Sequence, residues 1–420
     1  MLDVDRTRPC IIPAGMLPYL TGPDPLLARS GGSRDPLGLQ PVWSEFGRRL
    51  VPCIASPVQQ VDGIKAVTLI HWLADMAPVR RLLGDPGAER GFFRLMEGLV
   101  EYWLHAHDRS VCFGSQSLVG EGERFAVTTG TGKTVANGLY QYYRGTCRRA
   151  GLLEHDWRAC AGLRVRFEQC FDATALDALA AAVRGCVNGT PLLPGRILVN
   201  RAVDAALAAV FYDEAINDLL RAGLFGGEVY RDLARTFSEV RSHGNGVPFG
   251  TQLAVLEHAP LADELDRMRR CEPFLLVLQD VFDLARAASG QSVHKLASGL
   301  MEFLEAMRER AARFVTLAND MPTARMRQMQ RLATAMCNAV AADGLADFVK
   351  ALIEHHGICM AERGREPLVL IEAGVIVLLV AGERNPDDAR ARLETGYPWM
   401  NDYYLNTAAN LYGQLHGESA

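Results

Sequence analysis

The stretch ERFAVTTGTGKTVANGLYQYYRGTCRRAGLL, from Glu123 to Leu153, decides how the whole chain is interpreted. Its segment GTGKT, residues 130–134, fits two different structures. In one, a glycine-rich loop follows a strand and holds the phosphates of a nucleotide. In the other, a helix begins near Thr131 and lies against DNA. Only the first structure requires a parallel sheet elsewhere in the chain, so the remaining sequence has to distinguish the two.

The nucleotide alternative starts from VTTGTGKT, which resembles the first motif of superfamily-2 helicases and related P-loop NTPases. The resemblance implies a phosphate loop with Gly130 and Gly132, in which Lys133 contacts the phosphates and Thr134 binds magnesium, with Mg-ATP as the ligand. Val127 stands where the general pattern has Gly or Ala, and RFAV would form the preceding strand. Further along, AAVFYDEAIND resembles an apolar strand that ends in Asp213-Glu214, a pair suited to magnesium.

Periodicity argues against this alternative. Apolar residues around the acidic pair recur at helical spacing, which favours a helix with a solvated acidic face: Ala206, Val210, Ala215 and Leu219. Strand patterns are too sparse for the several parallel strands of a P-loop core. The nucleotide interpretation therefore remains the alternative, as a helicase-like NTPase.

The same stretch divides cleanly by face when it is read as a helix. One side is apolar, with Val135, Leu139, Tyr142, Tyr143, Thr146 and Ala150. The other side has the residue types that contact base edges and phosphates in a major groove. We therefore predict as DNA-binding residues Lys133, Asn137, Gln141, Arg144, Arg148 and Arg149.

Local charge supports the DNA interpretation. The segment from Lys133 to Arg166 contains seven basic residues and two acidic ones, Glu154 and Asp156. The end of the stretch, CRRAGLLEHDW, resembles the end of a winged helix-turn-helix, and GLRVRFEQCF, residues 162–171, would supply a wing strand. An ordinary amphipathic helix whose Arg and Gln face water remains an alternative, and the glycines at 138 and 145 weaken the helix.

Composition sets the outer limits. The chain has 420 residues, of which 49% are hydrophobic, and a net charge of −5, as expected for a soluble globular protein with several domains. No secretory signal or membrane-spanning run is apparent, so we expect a cytoplasmic protein without a membrane partner. Its ten cysteines include no C-x-x-C pair, which indicates reduced thiols and no structural metal.

Glycine- and proline-rich turn signals divide the chain into five segments. We predict an extended, proline-rich arm over residues 1–60, a helical region over 61–110, the winged-helix-like module over 111–195, a helical domain over 196–365, and a hairpin with a final helix over 366–420. The segment GIKAVTLIHWLADM is apolar nearly all round, so we expect a buried helix there. Ser292 is a plausible N-cap of one long helix with near-heptad spacing up to Phe314.

Two histidine clusters were considered as metal ligands. His105, His107 and Asp108 lie near a helix end, and His355 and His356 are adjacent on another helix. Neighbouring helical residues point in different directions and do not share a metal. We therefore interpret both clusters as solvated side chains.

Two segments resemble proteins of bacterial defence. TGTGKTVANGLYQYYRGTCRRAGLL, residues 129–153, is similar to a Gly-x-Gly-Lys helix that ends in Ala-Gly-Leu in the nicking proteins of phosphorothioation-dependent defence. REPLVLIEAGVIVLLVAGE followed by YPWMNDYYLNTAANLYGQL resembles the C-terminus of proteins that accompany helicases in anti-phage islands. The resemblance implies a DNA-binding or complex-forming component and transfers no catalytic residue.

The sequence thus predicts a mainly α, multi-domain protein with a winged helix-turn-helix-like module and a small α+β C-terminal end. The preferred function is a non-enzymatic DNA-binding and scaffolding subunit of an anti-phage complex. It would require no cofactor and would act with a partner nuclease, helicase or ATPase. The rivals are the P-loop NTPase and a purely structural assembly subunit.

Overall fold

In the computed structural model, the described residues are 35–55, 57–83, 86–110, 112, 115–130, 138–186, 190–242, 259–320, 323–380, 385–395 and 403–417. Over these residues the protein is mainly α-helical, as predicted, with one sheet of two strands. The chain divides into two units. Unit 1 is Met1–Val42 with Arg269–Tyr397, and unit 2 is Trp43–Met268 with Pro398–Ala420.

Unit 2 contains most of the helices. Two helices contribute to both units, namely α1 (Gln40–Leu50) and α13 (Ala262–Ala287). The helices that belong wholly to unit 2 are α2 (Val61–Asp75), α3 (Ala77–Leu83), α4 (Pro86–Ala106), α5 (Ser115–Glu121), α6 (Arg144–Arg149), α7 (Ala161–Cys170), α8 (Ala173–Cys186), α9 (Pro194–Leu198), α10 (Arg201–Phe211), α11 (Glu214–Phe225), α12 (Glu228–Ser242) and α19 (Leu405–His416). Short 3-10 turns lie at Gly122–Arg124 and Ala259–Leu261, and a π-helical turn at Leu139–Tyr143 precedes α6.

Helix α2 lies at the centre of unit 2. Every residue from Val61 to Leu73 is buried, which confirms the buried helix predicted from its all-round apolar sequence. Helices α4, α6, α7, α10 and α19 pack around it, and so does the π turn. Glycine at position 63 is required here, because a Cβ would lie 2.3 Å from Cε1 of Tyr143. The π turn therefore packs directly against the backbone of α2.

Unit 1 combines a helical body with a small hairpin. Its own helices are α14 (Val293–Gly299), α15 (Leu304–Asp320), α16 (Ala324–Asn338), α17 (Ala342–Ala361) and α18 (Pro386–Thr395), and its strands are β1 (Val369–Glu372) and β2 (Val375–Leu378). The strands pair antiparallel, with Glu372 opposite Val375. Ala373 and Gly374 both have positive φ, 48° and 80°, which confirms the tight Ala-Gly turn predicted from sequence.

Two predictions about helices in the chain need correction. Part of the extended arm predicted over residues 1–60 is helical, because α1 buries Val42, Phe46 and Leu50 at helical spacing and has Pro41 in its first turn, where proline is tolerated. The single helix predicted after Ser292 is broken: α14 ends at Gly299 and a 3-10 turn, Met301–Phe303, separates it from α15. The N-cap itself is confirmed, since Lys295 N donates to Ser292 Oγ at 3.2 Å.

His355 and His356 are buried in unit 1, so the prediction that they are solvated was wrong. The amide of Leu368 donates to Nε2 of His356, and Nδ1 then carries the proton and donates to the carbonyl of Pro36, each at 2.8 Å. His355 Nε2 lies 2.8 Å from the carbonyl of Leu37. The two rings thus tie residues 36 and 37 to α17 and to the start of the hairpin. Burial lowers the pKa of both histidines, because the charged ring would lose its hydration.

None of the described helices combines the length and the apolar character needed to cross a membrane. The longest helix, α13, places Glu272, Asp280 and Asp283 among its buried residues. Arg392 of α18 pairs with Asp280 at 2.7 Å. Helix α13 thus carries charged groups within its buried part.

Replacing His356 with Ala removes both of its hydrogen bonds and leaves the amide of Leu368 and the carbonyl of Pro36 without partners inside the protein. We expect the free energy of unfolding to fall by about 3 kcal/mol, from lost hydrogen bonds and a new cavity. Urea denaturation measures this loss, and amide exchange at Leu368 locates it. His294→Ala is the matched control, because His294 is an exposed histidine of the same unit. Equal stability of the two variants would contradict the anchoring role.

Candidate nucleic-acid interface

The predicted DNA-binding residues that the structure describes lie on the π turn and on α6. Leu139, Tyr143, Thr146 and Cys147 are buried there. Gln141, Arg148 and Arg149 are exposed, and Arg144 is half-buried. Tyr142, which was predicted on the apolar face, is 40% exposed. The predicted residues Gly132, Lys133, Thr134 and Asn137 lie outside the described residues, and so does the predicted helix start at Thr131.

A buried carboxylate holds the first described amides of this helical segment. Glu97 of α4 has no exposed surface, and its Oε1 accepts from the amide of Leu139 at 3.1 Å. The amides of Gly138 and Tyr140 also donate to it. Burial nevertheless raises the pKa of Glu97 to about 7, because these hydrogen bonds only partly replace the lost hydration. The amides of residues 138–140 are therefore occupied and do not offer a phosphate site.

Arginines and aromatic rings alternate along the surface beside this segment. The guanidinium carbon of Arg144 lies 4.0 Å from the ring centroid of Tyr140 and 4.0 Å from that of Trp157. Arg90 of α4 lies over Tyr140 at 5.6 Å, and Arg148 lies over Trp157 at 4.8 Å. These distances are within the range of cation–π attraction. We call these five residues, Arg90, Tyr140, Arg144, Trp157 and Arg148, the arginine–aromatic row.

Trp157 is placed by a strained turn. Its φ is 69°, a left-handed conformation that is rare for a bulky residue. The turn is closed by hydrogen bonds from Glu154 N to Arg158 O at 2.8 Å and from Trp157 N to Glu154 O at 3.1 Å. The ring stacks on His71 of α2, with centroids 6.1 Å apart. Such strain costs about 1–3 kcal/mol and persists where the surroundings fix it, often at functional sites.

Among the described residues, no carboxylate neutralises the charges of the row. Across the described ranges, no Asp or Glu forms an ion pair with Arg90, Arg144, Arg148 or Arg149. Other arginines of the predicted basic patch are paired: Arg158 with Asp75, Arg164 with Glu154, and Arg166 with Asp213. The charge of Arg144 also contributes, after burial, to lowering the pKa of His71 to about 4. The predicted basic patch therefore contains fewer unpaired arginines than the sequence suggests, and these lie in or next to the row.

The structure corrects the predicted wing. Residues 162–171 were expected to form a strand, but α7 covers Ala161–Cys170. Leu163 and Phe167 are buried four residues apart, and Phe167 packs against Trp72 of α2. Val165, between them, is 52% exposed, whereas a strand would place it on the same face as Leu163 and Phe167. Between α6 and α7 an isolated bridge pairs Leu153 with Ala159.

Elements required by the P-loop alternative are absent from the part of the chain that the structure describes. The predicted RFAV strand contributes one isolated bridge, from Val127 to Leu192, and no parallel sheet is present there. The predicted acidic strand is the end of α10, and Asp213 is the N-cap of α11, accepting from Ala215 N at 2.8 Å. Arg166 donates to the other oxygen of the same carboxylate at 2.6 Å, so both oxygens of Asp213 already accept hydrogen bonds. Gly130 is exposed at the edge of the described segment.

The remaining acidic residue of that pair is also occupied. Glu214 accepts from Arg221 and, at 2.8 Å, from Asn217. In the described part of the chain, no three side chains of His, Cys, Asp or Glu are grouped so that they would hold a metal. The sequence did not indicate Tyr140, Trp157 and Arg90 as members of the candidate interface. The signal that could have found Trp157 is the turn sequence EHDW, residues 154–157, which begins five residues after Arg149.

Replacing Glu97 with Gln tests the buried carboxylate. The folded protein holds a proton on Glu97 up to about pH 7, whereas the unfolded chain releases it near the ordinary value of 4.5. The free energy of unfolding should therefore fall as pH rises through this window, by about 3 kcal/mol at 1.36 kcal/mol per pKa unit. Gln keeps an acceptor for the amides and has no such pH dependence. Urea denaturation at several pH values measures the difference.

The control for Glu97→Gln is Glu89→Gln, since Glu89 is an exposed residue of the same helix. It should keep the pH dependence of the unmodified protein. If Glu97→Gln and Glu89→Gln show the same slope between pH 4.5 and pH 7, Glu97 does not hold its proton as described.

Comparison of the chain with protein-family models, curated proteins and solved structures gives no significant match. No relative therefore indicates a substrate, a partner or a catalytic residue. The arginines of the row, which have no carboxylate partner among the described residues, and the rings that hold them are the features from which a function can be inferred.

Proposed function

We propose that the protein is a non-enzymatic DNA-binding subunit that contacts DNA through the arginine–aromatic row. The observation that carries the proposal is the row itself, in which arginines without carboxylate partners are held in place by aromatic rings. Stacking occupies a face of each guanidinium and leaves N–H groups at its edge for phosphate oxygens, with one N–H of Arg148 donating to Nδ1 of His155 at 3.0 Å. Because the arginines are already ordered, less conformational entropy is lost on binding.

The proposed contacts are mainly to phosphates. Arg144 is held between two rings, so in this proposal it does not extend to a base edge as the recognition-helix prediction required. Gln141 is exposed on the same segment and is the described residue most suited to a base contact. Lys133 and Asn137, from the segment before it, are proposed to add one phosphate and one base contact. A winged-helix arrangement is not part of the proposal, because α7 replaces the wing strand.

The wider role is proposed from resemblance. The two segments that resemble defence proteins support a subunit of an anti-phage complex that acts in the cytoplasm with a nuclease, helicase or ATPase. The helical surfaces would then serve as scaffold for these partners. A purely structural assembly subunit is the rival that needs no DNA, and DNA binding separates the two.

Removing two exposed arginines should weaken DNA binding and its salt dependence. We expect Arg90→Ala/Arg148→Ala, which removes the two exposed arginines of the row, to lower the slope of log affinity against log salt by about 2, because each lost phosphate contact removes about 0.9 from the slope. Fluorescence anisotropy of a short duplex, measured between about 50 and 200 mM salt, gives the slope. Several duplex sequences should lose affinity equally, since phosphate contacts do not read bases.

Arg313→Ala/Lys350→Ala is the matched control, with the same change of net charge. Both residues are exposed on helices of unit 1 and are paired with Glu309 and Asp347. The control should keep the slope of the unmodified protein. Equal slopes in both double variants, or no binding of the unmodified protein, would exclude the row as a DNA site. The assembly subunit and the NTPase would then remain, and a Mg-ATP binding assay distinguishes them.

A further inference from the structure

A polar cavity of about 570 Å³ lies within unit 2. It is lined by the start of α2, the end of α10, the start of α11, the end of α19 and the residues after α4. Its volume is sufficient for a small organic molecule. Among the lining side chains are Asp62, Lys65, Arg109, Tyr212 and Glu214. No part of the arginine–aromatic row contributes to it.

Three of the charged groups around the cavity, Asp62, Arg109 and Glu214, have charged partners. Arg109 contacts both carboxylate oxygens of Asp62, at 2.7 and 2.9 Å, and lies over the ring of Tyr212 at 4.8 Å. Glu214 is paired with Arg221. These groups form a fixed wall rather than a set of open ligands.

Lys65 is different. Its side chain is 2% exposed, and Nζ donates to the carbonyl of Phe211 at 2.8 Å. Within the described chain no carboxylate forms an ion pair with it. An ammonium group has three N–H donors, and only one acceptor is in place. The other hydrogen positions of Nζ therefore have no acceptor among the described residues, and Lys65 lines the cavity.

Lysine is rare in this protein. Of the 44 Lys and Arg residues, four are lysines: Lys65, Lys133, Lys295 and Lys350. Structural and surface cations in the described ion pairs are almost all arginines. The two residues are not equivalent, because a lysine can lose its proton and become a nucleophile whereas an arginine stays charged. A buried lysine on a cavity wall is therefore an unusual choice for this chain.

Burial lowers the pKa of Lys65 to about 8, and the nearby charge of Asp62 only partly opposes this shift. At pH 7 roughly a tenth of such groups are unprotonated amines, against less than about 0.1% for an ordinary lysine. The neutral amine has a lone pair and can attack an electrophile.

We propose that Lys65 is the nucleophile of a small-molecule site in this cavity and forms an imine with a small aldehyde or ketone. The lone pair of Nζ attacks the carbonyl carbon, and the π electrons of the carbonyl move to its oxygen. A proton passes from nitrogen to that oxygen to give a carbinolamine. Loss of the hydroxyl with a second proton from nitrogen releases one water and leaves a carbon–nitrogen double bond. No oxidant or reductant is needed, and the reaction reverses with water.

A neutral carbonyl compound suits the cavity better than an anion. The lining carries three carboxylates, Asp62, Asp108 and Glu214, against two cations, Lys65 and Arg109. An added negative charge would meet a field that is already slightly negative. The polar lining favours a carbonyl compound that also carries hydroxyl groups. Glycolaldehyde has both features and is the probe for the test.

The experiment uses the unmodified protein, glycolaldehyde and sodium cyanoborohydride at pH 7, with peptide mass spectrometry to locate the reduced adduct. The exposed Lys295 and Lys350 are internal controls. We expect Lys65 to be modified at least tenfold faster than either control, with a rate that saturates as glycolaldehyde is raised. Modification of Lys65 no faster than the controls would overturn the proposal, and so would a rate that stays linear with concentration, since no binding site would then precede the reaction.

Two variants separate the cavity from the amine. Ser110 is exposed and lines the cavity, so Ser110→Trp should narrow it and slow the modification of Lys65 at least threefold without affecting Lys295. An unchanged rate at Lys65 would show that it reacts outside the cavity, against the proposal. Lys65→Met should abolish saturable incorporation of glycolaldehyde. Continued saturable incorporation in that variant would assign the reaction to another residue.

Discussion

The position of Tyr143 is the constraint on which the arginine–aromatic row of unit 2 depends. Its ring packs against α2 at Gly63, and its hydroxyl accepts from the amides of Gln59 and Gln60, each at 3.1 Å. Burial and these contacts fix the last residue of the π turn. Arg144 follows directly, so the direction of α6 is set by a side chain that never reaches the surface. The arginine–aromatic row is thus positioned from within the core.

Glu97 fixes the other end of the same turn. A buried carboxylate is costly unless hydrogen bonds replace its hydration, and the amides of residues 138–140 replace it in part. A π-helical turn between two such anchors is consistent with the tendency of π turns to occur at functional sites. Anchored in this way, the turn presents Tyr140 to Arg90 and Arg144 without relying on the exposed side chains for its own stability.

The sequence predicted what depends on local pattern. The helical class, the buried α2, the Ala-Gly hairpin turn and the cap at Ser292 all follow from spacing or from a residue with one strong preference. The prediction was wrong where a residue far away in the sequence determines the burial or the secondary structure of a segment. His355 and His356 are buried because carbonyls about 320 positions away bind them. Residues 162–171 form a helix because Phe167 meets Trp72 of α2. No window of neighbouring residues contains that information.

The candidate site shows the same limit. Arg144 and Arg148 were found from the face they share on a helix, but the rings that hold them were not. Trp157 follows them in a turn, and Arg90 comes from α4, some fifty positions earlier in the chain. Charge was overestimated for a related reason, because the partners of Arg158 and Arg166, Asp75 and Asp213, lie outside the predicted patch. A count of basic residues along the sequence does not reveal which of them are neutralised in the fold.

The choice between arginine and lysine distinguishes the two candidate sites of unit 2. Arg144 is planar and delocalised, which suits contact with rings on both sides, and it remains charged when it is half-buried. Lys65 has a compact amine with one acceptor, the carbonyl of Phe211, where the five donors of a guanidinium would be left largely unsatisfied. The fold therefore keeps a permanent charge at the surface and an amine that can lose its proton beside the cavity. These are the requirements of phosphate binding and of carbonyl capture, respectively.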